Sequence, residues 1–499
     1  MLLELFRKAG LECPPDCESI EIKNIVTDSK KVEKGSLFIC LRGRSFDGHK
    51  YIDSAIEAGA AVIIAEQKRD VCVGGAAAYI MLDNTRKVTA LLYNAWYGRP
   101  TDDLKIIGVT GTNGKTSVTT MLYEIFSFAG YRCGLIGTVC RLSADGRALA
   151  RNFSDPLSNM TTPDPEELYA LLAQMVKDRV EYVFMEVSSH ALFLSKVDAI
   201  HFEYAVFTNL TQDHLDFHES MEDYYRAKRK LFSMSRKAFI CIDGEYGNRL
   251  AKECECPFFT LSVNKGDFCA LDVIMYGSEG SEYKLVYPDG EGNVKISVAG
   301  SFGVINSLTA AAVSLDCKIP FETLTGALLN AKGAKGRMEK VELPDNDITV
   351  IIDYAHTPDA LEKLLLNVRS IKETDGRIIL VFGCGGERDR SKRKAMALIA
   401  SRLSDMVIVT SDNSRGEDPN QIFSDILKGI DKEKNHTVID SRSAAIENAV
   451  VNARSGDIVV LAGKGHENYE INAEGKIPFD ETKIVKTSYA KRRKVREET

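Results

Sequence analysis

The alternation of short apolar runs with amphipathic segments constrains the fold of this chain more than any other feature of its sequence. From residue 104 onward, apolar runs such as LKIIGVT, VEYVFMEV and YAVFTNL are separated by helix-like stretches such as SVTTMLYEIFSFAG. Strands that alternate with helices in this way typically form one sheet with helices on both faces. The pattern therefore predicts an α/β fold with a mostly parallel sheet.

Two interruptions of the pattern predict domain boundaries. A helix-like stretch over 86–97 ends at Gly98-Arg99-Pro100, where a helix stop meets a helix breaker. Gly333 and Gly336 precede a second series of strands and helices, with the runs DITVIID, RIILVFG, DMVIVT and DIVVLAG. At about 150 residues per domain, 499 residues suggest roughly three domains. We expect domains at 1–100, 101–334 and 335–499, the last of them doubly wound.

The composition excludes several classes of protein. Acidic residues outnumber basic ones, 71 to 64, so no overall positive field attracts nucleic acid or an anionic membrane. No apolar run approaches the roughly eighteen residues that span a bilayer, and Glu4, Arg7 and Lys8 interrupt any secretion signal. The twelve cysteines show no metal or redox spacing and are interpreted as reduced thiols. We expect a cytoplasmic protein that binds neither nucleic acid nor membrane.

A glycine-containing loop between an apolar strand and an amphipathic helix predicts phosphate binding. Glycines allow the backbone to approach phosphate, the helix dipole attracts the anion, a lysine adds charge and a threonine hydroxyl can reach magnesium. The strict pattern requires a further glycine where Val109 stands, and no Asn-Lys-x-Asp motif for guanine follows. ATP is therefore favoured over GTP. The predicted contacts are Gly111, Thr112, Asn113, Gly114, Lys115, Thr116 and Ser117.

Polar clusters follow two further predicted strands, MEVSSH and NLTQDHLD. Ligands collect beyond the carboxyl ends of the strands in open α/β sheets, and magnesium prefers oxygen ligands. Glu186 is therefore a candidate magnesium ligand together with Thr116. Farther along, Ser220 and Asp223 predict the start of a helix. Spacing alone does not separate Lys228 of that helix from a solvated basic face.

Ten motifs, in order along the chain, resemble those of the Mur ligase family, and within it the enzymes that add the third amino acid of the peptidoglycan stem peptide. The resemblance extends from Asp28-Ser29 to Glu467. The motifs are GTNGKT, MEVSSH, FTNLTQDHLDFH, YYRAKRKLF, GVINSLTA, GRME, DYAHTPDALE, FGCGGERDR, DNSRGEDP and AGKGHE.

The resemblance implies an N-terminal UDP-sugar domain, a central ATPase and a C-terminal Rossmann-like domain that receives the amino acid. It implies that ATP phosphorylates the free D-Glu carboxylate of UDP-MurNAc-L-Ala-D-Glu. The incoming amine then attacks the acyl phosphate, and phosphate leaves. Phosphorylation supplies the leaving group that a carboxylate lacks, and lysine and magnesium neutralise the charge that is transferred.

The resemblance also assigns roles to individual residues. It makes Lys115, His214 and Lys228 catalytic, with Lys228 carrying a carbamate formed from carbon dioxide. Magnesium would be held by Thr116, Glu186, His214 and the modified Lys228. Further ATP contacts would be Asn306, Arg337 and Asp353. Contacts to the UDP-MurNAc-dipeptide would be Ser29, Arg44, Ser45, Phe46, Thr161, Thr162, Ser188 and Lys196. Lys196 stands where relatives often carry arginine, and Leu194 where they are often polar.

The segment Asp412-Asn413-Ser414-Arg415 bears on which amino acid is added. Members specific for diaminopimelate carry Asp-Asn-Pro-Arg, whose arginine binds the distal carboxylate that lysine lacks. The arginine is present here, so meso-diaminopimelate is favoured over L-lysine, although Ser414 replaces the proline. The full set of implied contacts is Arg388, Asp412, Asn413, Ser414, Arg415, Gly463 and Glu467.

Three alternatives stay open at this point. The same ligase could add L-lysine, or the chain could resemble a folylpolyglutamate synthetase, which lacks a separate N-terminal domain and the DNSRGEDP segment. A nucleotide-binding regulator without catalysis is disfavoured because Lys115, Glu186, His214 and Lys228 are all present. We expect a monomer that binds ATP, magnesium and small-molecule substrates.

Overall fold

A computed structural model of the chain contains three main β-sheets that follow one another along the sequence. Among the described residues these sheets have four, ten and six strands. Most neighbouring strands are parallel, which confirms the predicted α/β fold. The structure describes residues 1–43, 46–68, 77–149, 160–215, 217–345, 347–372, 375–431 and 433–497.

The N-terminal sheet is parallel and has the strand order β1-β2-β3-β4. The helix predicted over 86–97 is α3, whose N-cap Asn84 accepts a hydrogen bond from the backbone N–H of Lys87. Helices α1 and α3 pack against each other. The elements of this region are β1 (Asn24–Val26), β2 (Ser36–Ile39), β3 (Val62–Ala65), β4 (Ala78–Met81), α1 (Leu2–Ala9), α2 (Ile52–Glu57) and α3 (Thr85–Trp96).

The central sheet has the order β14-β13-β12-β11-β10-β9-β5-β8-β6-β7. Its strands are β5 (Lys105–Thr110), β6 (Cys133–Ile136), β7 (Arg141–Leu142), β8 (Tyr182–Glu186), β9 (Phe202–Phe207), β10 (Ser235–Cys241), β11 (Phe258–Ser262), β12 (Phe268–Met275), β13 (Ser281–Tyr287) and β14 (Gly290–Ile296). Its helices are α4 (Lys115–Phe128), α5 (Pro165–Lys177), α6 (Ser189–Phe193), α7 (Met221–Ser233), α8 (Glu245–Glu253), α9 (Ser301–Asp316) and α10 (Phe321–Asn330).

Two local predictions for the central region are confirmed. Polar and apolar residues alternate over 268–298 around Pro288-Asp289-Gly290, which predicts a hairpin, and β13 and β14 form this antiparallel hairpin at one edge of the sheet. The hydroxyl of Ser220 accepts a hydrogen bond from the backbone N–H of Asp223 and caps α7. Both features depend only on residues that are near neighbours in sequence.

The C-terminal sheet has the order β15-β16-β20-β17-β18-β19 and is parallel except for β15. A small hairpin of β21 and β22 follows it. The strands are β15 (Glu339–Lys340), β16 (Thr349–Asp353), β17 (Ile378–Phe382), β18 (Met406–Val409), β19 (His436–Val438), β20 (Ile458–Ala462), β21 (Tyr469–Asn472) and β22 (Gly475–Pro478). The helices are α11 (Pro358–Ile371), α12 (Ser391–Leu403), α13 (Pro419–Leu427), α14 (Arg442–Asn452) and α15 (Glu481–Glu497).

Strand β5 shows why the strands of the parallel sheets have nearly continuous apolar sequences. Ile106 packs into a core that reaches the N-terminal helices α1 and α3, whereas Ile107 and Val109 pack into the core formed with α4, α9 and α10. Successive side chains of a strand point to opposite faces, so a strand covered on both faces must be apolar throughout. Polar residues are thereby concentrated in the loops at the strand ends.

The described helices and cysteines provide two further observations. None of the described helices combines the length and the apolar character that a bilayer crossing requires. The described cysteines are free thiols, including Cys254 and Cys256, whose sulfur atoms lie 3.6 Å apart.

Candidate active site

The predicted phosphate loop connects β5 to α4. Gly111 to Gly114 turn the chain, and α4 begins at Lys115. Val109, which breaks the strict glycine pattern, is a fully buried residue of β5. Because the loop begins after Val109, a glycine at that position is not required for the turn.

Two glycines of this loop cannot be replaced without strain. Gly111 and Gly114 have φ angles of 152° and 87°, which residues with a side chain rarely adopt. A Cβ atom on Gly111 would lie 1.9 Å from Oγ1 of Thr208, and one on Gly114 would lie 2.8 Å from Oδ1 of Asn306. The loop is therefore packed closely against its neighbours, with the N-terminus of α4 available to an anion.

Two lysines converge on the start of the loop. Nζ of Lys115 donates hydrogen bonds to the carbonyl oxygens of Gly111 (2.8 Å) and Thr112 (2.9 Å), and Nζ of Lys228 donates to the same Gly111 oxygen (2.9 Å). Lys228 is 1% exposed. Burial, and then the charge of Lys115, hold the pKa of Lys228 well below its usual range, and burial also lowers the pKa of Lys115. The site thus concentrates positive charge beside the phosphate loop.

Glu186 lies at the carboxyl end of β8 and is 1% exposed. Its Oε2 accepts hydrogen bonds from the hydroxyls of Thr116 (3.1 Å) and Thr138 (3.0 Å), and its Oε1 accepts one from the backbone N–H of Thr138 (2.9 Å). Thr116 and Glu186, which the sequence predicts to bind magnesium, are therefore in direct contact. A carboxylate surrounded by hydroxyl groups is the oxygen donor set that this ion prefers.

His214 follows β9 and has a positive φ angle of 54°. Its ring lies 6.1 Å from that of Tyr224, and Nζ of Lys228 lies 4.6 Å from the centre of the same Tyr224 ring. His214 and Lys228 therefore approach one aromatic side chain from two elements. In contrast to buried Lys228, the side chain of His214 is 46% exposed.

A cavity of about 660 Å³ extends from the phosphate loop to the C-terminal region. It is lined by every residue predicted to bind ATP except Gly111, and also by Thr161, Glu186 and His214. Asn306 of α9 lies against Gly114, while Arg337 stacks on Tyr354 with 4.8 Å between the guanidinium and the ring centre.

Asp353 enters this cavity from the C-terminal sheet, at the end of β16. Its carboxylate accepts hydrogen bonds from the backbone N–H groups of Met338 and Ala355, each at 2.8 Å. Burial raises its pKa, although the nearby Arg337 opposes the shift. The cavity therefore lies between the phosphate loop of the central sheet and polar residues at the strand ends of the C-terminal sheet.

Three of the residues predicted to bind the amino acid, Asp412, Asn413 and Glu467, form one polar group with Lys464. The Asn413 amide donates to Oε2 of Glu467 (2.8 Å) and accepts from Nζ of Lys464 (3.1 Å). Lys464 also lies 3.5 Å from Asp412. Burial favours the neutral acid at Asp412, but the charges of Lys464 and Arg442 hold its pKa below the usual value. Burial raises the pKa of Glu467.

Arg415 is held in place by backbone carbonyls. Its Nη1 donates to the carbonyl oxygens of Gly386 (3.0 Å) and Asn413 (3.1 Å), and its own φ angle is 53°. Arg388 is exposed beside it: a Cβ on Gly385 would lie 3.0 Å from Nη1 of Arg415 and 3.8 Å from Cγ of Arg388. The two arginines predicted to contact the amino acid therefore lie on either side of one glycine.

The backbone around Ser414 and Gly463 is also closely packed. A Cβ on Gly386 would lie 2.0 Å from the Ser414 carbonyl oxygen. Gly463 has a φ angle of 115°, and a Cβ there would lie 3.0 Å from Oδ2 of Asp412. Ser414 is buried, so the loop is enclosed by its neighbours even with serine in place of the proline implied by the family resemblance.

Part of the predicted UDP-MurNAc-dipeptide site adjoins Glu186. The hydroxyl of Thr162 donates to the Glu186 carbonyl (2.8 Å) and accepts from the Ser188 N–H (3.0 Å). The hydroxyl of Thr161 accepts from that of Thr138 at 3.1 Å. These hydroxyls connect the predicted substrate site to the predicted magnesium site.

The other predicted sugar-nucleotide contacts are more dispersed. Lys196 is nearly buried, and its Nζ pairs with Asp164 at 2.7 Å. Ser29 is half-buried, whereas the ring of Phe46 is 55% exposed. Arg44 and Ser45 lie outside the described residues.

Several polar residues of the site were not assigned from the sequence. Thr138 binds Glu186, Lys464 binds Asn413, and Asp359 of α11 contacts the phosphate loop. Lys464 and Asp359 lie inside the motifs AGKGHE and DYAHTPDALE, so these motifs could have identified both as residues of the site. Thr138 lies in none of the ten motifs and becomes visible only through its contact with Glu186.

Comparison with known proteins finds similarity along most of the chain. Residues 21–97 match the Mur ligase family catalytic domain, residues 109–314 the Mur ligase middle domain, and residues 336–465 the Mur ligase glutamate ligase domain. The chain is 41% identical to UDP-N-acetylmuramoyl-L-alanyl-D-glutamate--2,6-diaminopimelate ligase 1 of Clostridium acetobutylicum, an alignment that covers 94% of each chain.

A second relative and a solved structure show the same extent of similarity. The ligase of the same description from Clostridioides difficile is 43% identical over 95% of this chain and 96% of its own. A solved structure of a UDP-N-acetylmuramoyl-L-alanyl-D-glutamate--2,6-diaminopimelate ligase superposes with a TM-score of 0.70 at 29% identity, covering 98% of this chain and 99% of that one. With relatives of this identity along nearly its full length, the chain belongs to the Mur ligase family.

Proposed function

We propose that this protein is the ATP-dependent ligase that adds meso-diaminopimelate to the D-Glu of UDP-MurNAc-L-Ala-D-Glu in peptidoglycan precursor synthesis. The observation that carries the proposal is the shared cavity, in which a phosphate loop, an acidic oxygen cluster and the ends of the C-terminal strands meet. A ligase needs such a junction, because the phosphorylated carboxylate and the incoming amine arrive from separate sites.

The donor set beside the loop fits Mg²⁺. Thr116 and Glu186 supply a hydroxyl and a carboxylate oxygen 3.1 Å apart, and His214 lines the same cavity. When bound, the ion would neutralise negative charge on the transferred phosphoryl group. Lys115 and the N-terminus of α4 would orient the phosphates. Asn306, Arg337 and Asp353 would contact the rest of the nucleotide.

Lys228 is suited to become a carbamate. Its amine is buried, and it forms no ion pair with a carboxylate among the described residues. An uncharged amine can attack carbon dioxide, forming an N–C bond and releasing one proton. The product is an anion, which would offset the charge of Lys115 and offer oxygen atoms to a second Mg²⁺ beside His214.

The C-terminal loops would bind the amino acid. Glu467 and Asp412 provide negative charge for the ammonium groups, and Arg415 and Arg388 provide positive charge for the carboxylates. A guanidinium binds a carboxylate with two parallel hydrogen bonds, so Arg415 favours a substrate with a distal carboxylate over L-lysine. The relatives that are about 40% identical carry diaminopimelate in their names, which supports the same choice.

We assign the UDP-MurNAc-dipeptide to the N-terminal domain, residues 1–100, and to Thr161, Thr162, Ser188 and Lys196 of the central domain. The central domain, residues 101–334, would bind ATP, and residues 335–499 the amino acid. The three matched family segments each fall within one of these ranges. The protein would act as a monomer in the cytoplasm on soluble precursors.

The test is an amide-forming assay with purified protein, UDP-MurNAc-L-Ala-D-Glu, ATP and Mg²⁺. We expect phosphate release that depends on meso-diaminopimelate, with a tripeptide product identified by mass spectrometry. A higher kcat/KM with L-lysine than with meso-diaminopimelate would overturn the assignment to Arg415. Phosphate release without any amide product would overturn the ligase itself.

A further inference from the structure

Asp359, in the first turn of α11, connects the C-terminal region to the tip of the phosphate loop. Its Oδ2 accepts hydrogen bonds from the side-chain amide of Asn113 (3.2 Å), the hydroxyl of Thr211 (3.0 Å) and Nζ of Lys363 (2.8 Å). Asn113 and Thr211 belong to the central region, whereas Lys363 lies one turn along α11. One carboxylate oxygen therefore joins two donors from loops of the central region and one from α11.

The central domain holds the other side of Asn113. Its backbone N–H donates to Oδ1 of Asn209 (3.0 Å), and its carbonyl oxygen accepts from Oγ1 of Thr208 (2.6 Å) and Nδ2 of Asn209 (3.2 Å). These bonds hold Asn113 from the side of the central domain. The hydrogen bond to Asp359 holds it from the side of α11, so loss of Asp359 removes one of the two attachments of this loop residue.

A second residue of the same helix contacts the start of α9. Oδ1 of Asn367 accepts a hydrogen bond from the backbone N–H of Ser301 at 3.0 Å and so caps α9, whose own N-cap is a glycine. Asn367 is 3% exposed. Helix α9 carries Asn306, which packs against Gly114. Asp359 and Asn367 are eight residues apart, about 12 Å along the helix, so two separated points orient α11.

We infer that Asp359 is a positioning residue that aligns the C-terminal domain with the phosphate loop, with Asn367 as the second point of alignment. The inference rests on the proposed ligase function, because alignment of the two domains matters where an amine must meet an acyl phosphate. Small misplacements of reacting groups lower rates strongly. Asp359 itself touches neither phosphate nor amine in this role.

A purely local role for Asp359 must be distinguished from this one. An acidic residue in the first turn favours the helix dipole, and Lys363 is its i+4 partner within α11. A local role predicts that D359A destabilises α11 regardless of Thr211. A positioning role predicts that Asp359 and Thr211 act as one unit, so their effects do not multiply.

The experiment compares wild type with D359A, D359N, T211V and the double variant D359A/T211V. E362Q is the matched control, because Glu362 lies on the same helix but pairs with Arg402 of α12 inside the C-terminal region. For each protein we would measure kcat, KM for each substrate, the thermal midpoint, and hydrogen exchange of the peptide covering 109–117 without substrates.

We expect D359A to lower kcat about tenfold and to speed exchange at the phosphate loop, with the thermal midpoint little changed. The double variant should be no slower than D359A. D359N keeps an acceptor oxygen and should recover most of the rate, and E362Q should match wild type. Multiplying effects in the double variant, or a D359A loop that exchanges like wild type, would overturn the inference.

The exchange measurement separates this inference from the proposed function. If the wild-type protein forms no amide, the proposed ligase fails, while loop exchange in D359A still decides whether Asp359 holds the loop. If amide forms but D359A exchanges and turns over like wild type, Asp359 has no positioning role and the ligase assignment stands.

Discussion

Two sets of cations in this molecule, each buried or half-buried, are balanced in opposite ways. Beside the phosphate loop, Lys115 and Lys228 both donate to the carbonyl oxygen of Gly111, and neither forms an ion pair with a described carboxylate. In the C-terminal domain, Arg442 pairs with Glu481 at 2.8 Å, and Arg393 pairs with Glu417 at 2.8 Å.

The presence or absence of a carboxylate partner distinguishes cations that stabilise the fold from cations that bind a ligand. A buried charge without a partner is costly, so it persists where a ligand or a chemical modification supplies the missing anion. A paired buried charge already has its counter-charge. Removing one partner leaves the other charge buried without compensation. Substitutions in the first set should therefore abolish activity without weakening the fold, and substitutions in the second set should do the reverse.

The largest effect is expected at Lys115. K115M should lower kcat by a factor of about a thousand or more, because phosphoryl transfer depends on charge neutralisation. The thermal midpoint should not fall, since a poorly compensated charge has been removed. K105M, at the exposed start of the same strand β5, is the control and should keep wild-type kcat. A K115M enzyme within tenfold of wild type would contradict the comparison.

Substitution of Lys228 should lower kcat nearly as strongly as substitution of Lys115, and the loss should be partly reversible. K228A should lower kcat by about a hundredfold to a thousandfold, and short carboxylic acids added to the assay should restore part of the rate by replacing the carbamate oxygens. R226A is the control, because Arg226 lies on the same helix with its side chain 73% exposed. A wild-type rate in K228A would remove the carbamate from the mechanism.

In the paired set, removing Glu481 should affect the fold. E481A leaves the guanidinium of fully buried Arg442 without its carboxylate, which should lower the free energy of unfolding by about 3–5 kcal/mol in urea titrations. The double variant R442M/E481L should recover much of this loss. The exposed pair of Glu447 and Lys491 is the control, and E447A should cost less than about 1 kcal/mol. Equal losses at both pairs would argue against the comparison.

The smallest predicted effect is a pH dependence at Glu417. Hydrogen bonds from buried Arg393 lower its pKa from 4.5 to about 2. The folded state therefore holds the ionised carboxylate more strongly than the unfolded chain does. Its contribution to stability is fully present above pH 4.5 and is lost as pH falls toward 2.

Urea titrations between pH 2 and 6 measure this effect. E417Q should flatten the profile between pH 4.5 and 2, whereas E433Q, at an exposed site, should leave it unchanged. A wild-type profile in E417Q would show that the Arg393 pair adds no pH-dependent stability.

The elements that were predicted best are those defined by neighbouring residues. The loop at Gly111 to Thr116, the capping of α7 by Ser220 and the hairpin of β13 and β14 each depend on a short segment whose residue types restrict the backbone. The sequence also predicts a helix from Arg393, and in the structure α12 begins two residues earlier, at Ser391. Helix ends commonly vary by one or two residues, because local patterns define them less sharply than they define the helix itself.

By itself, the sequence determined the alternating strands and helices, the phosphate loop and the family, because these follow from local residue patterns and from motifs in a given order. Only the tertiary structure decided which polar residues meet. It buried Lys228 on a helix that looked like a solvated basic face, placed Thr138 on Glu186, and joined Asp359 to Asn113 across 246 positions. Such contacts depend on how sheets and helices pack, and packing brings together residues whose spacing in the sequence carries no signal of their proximity.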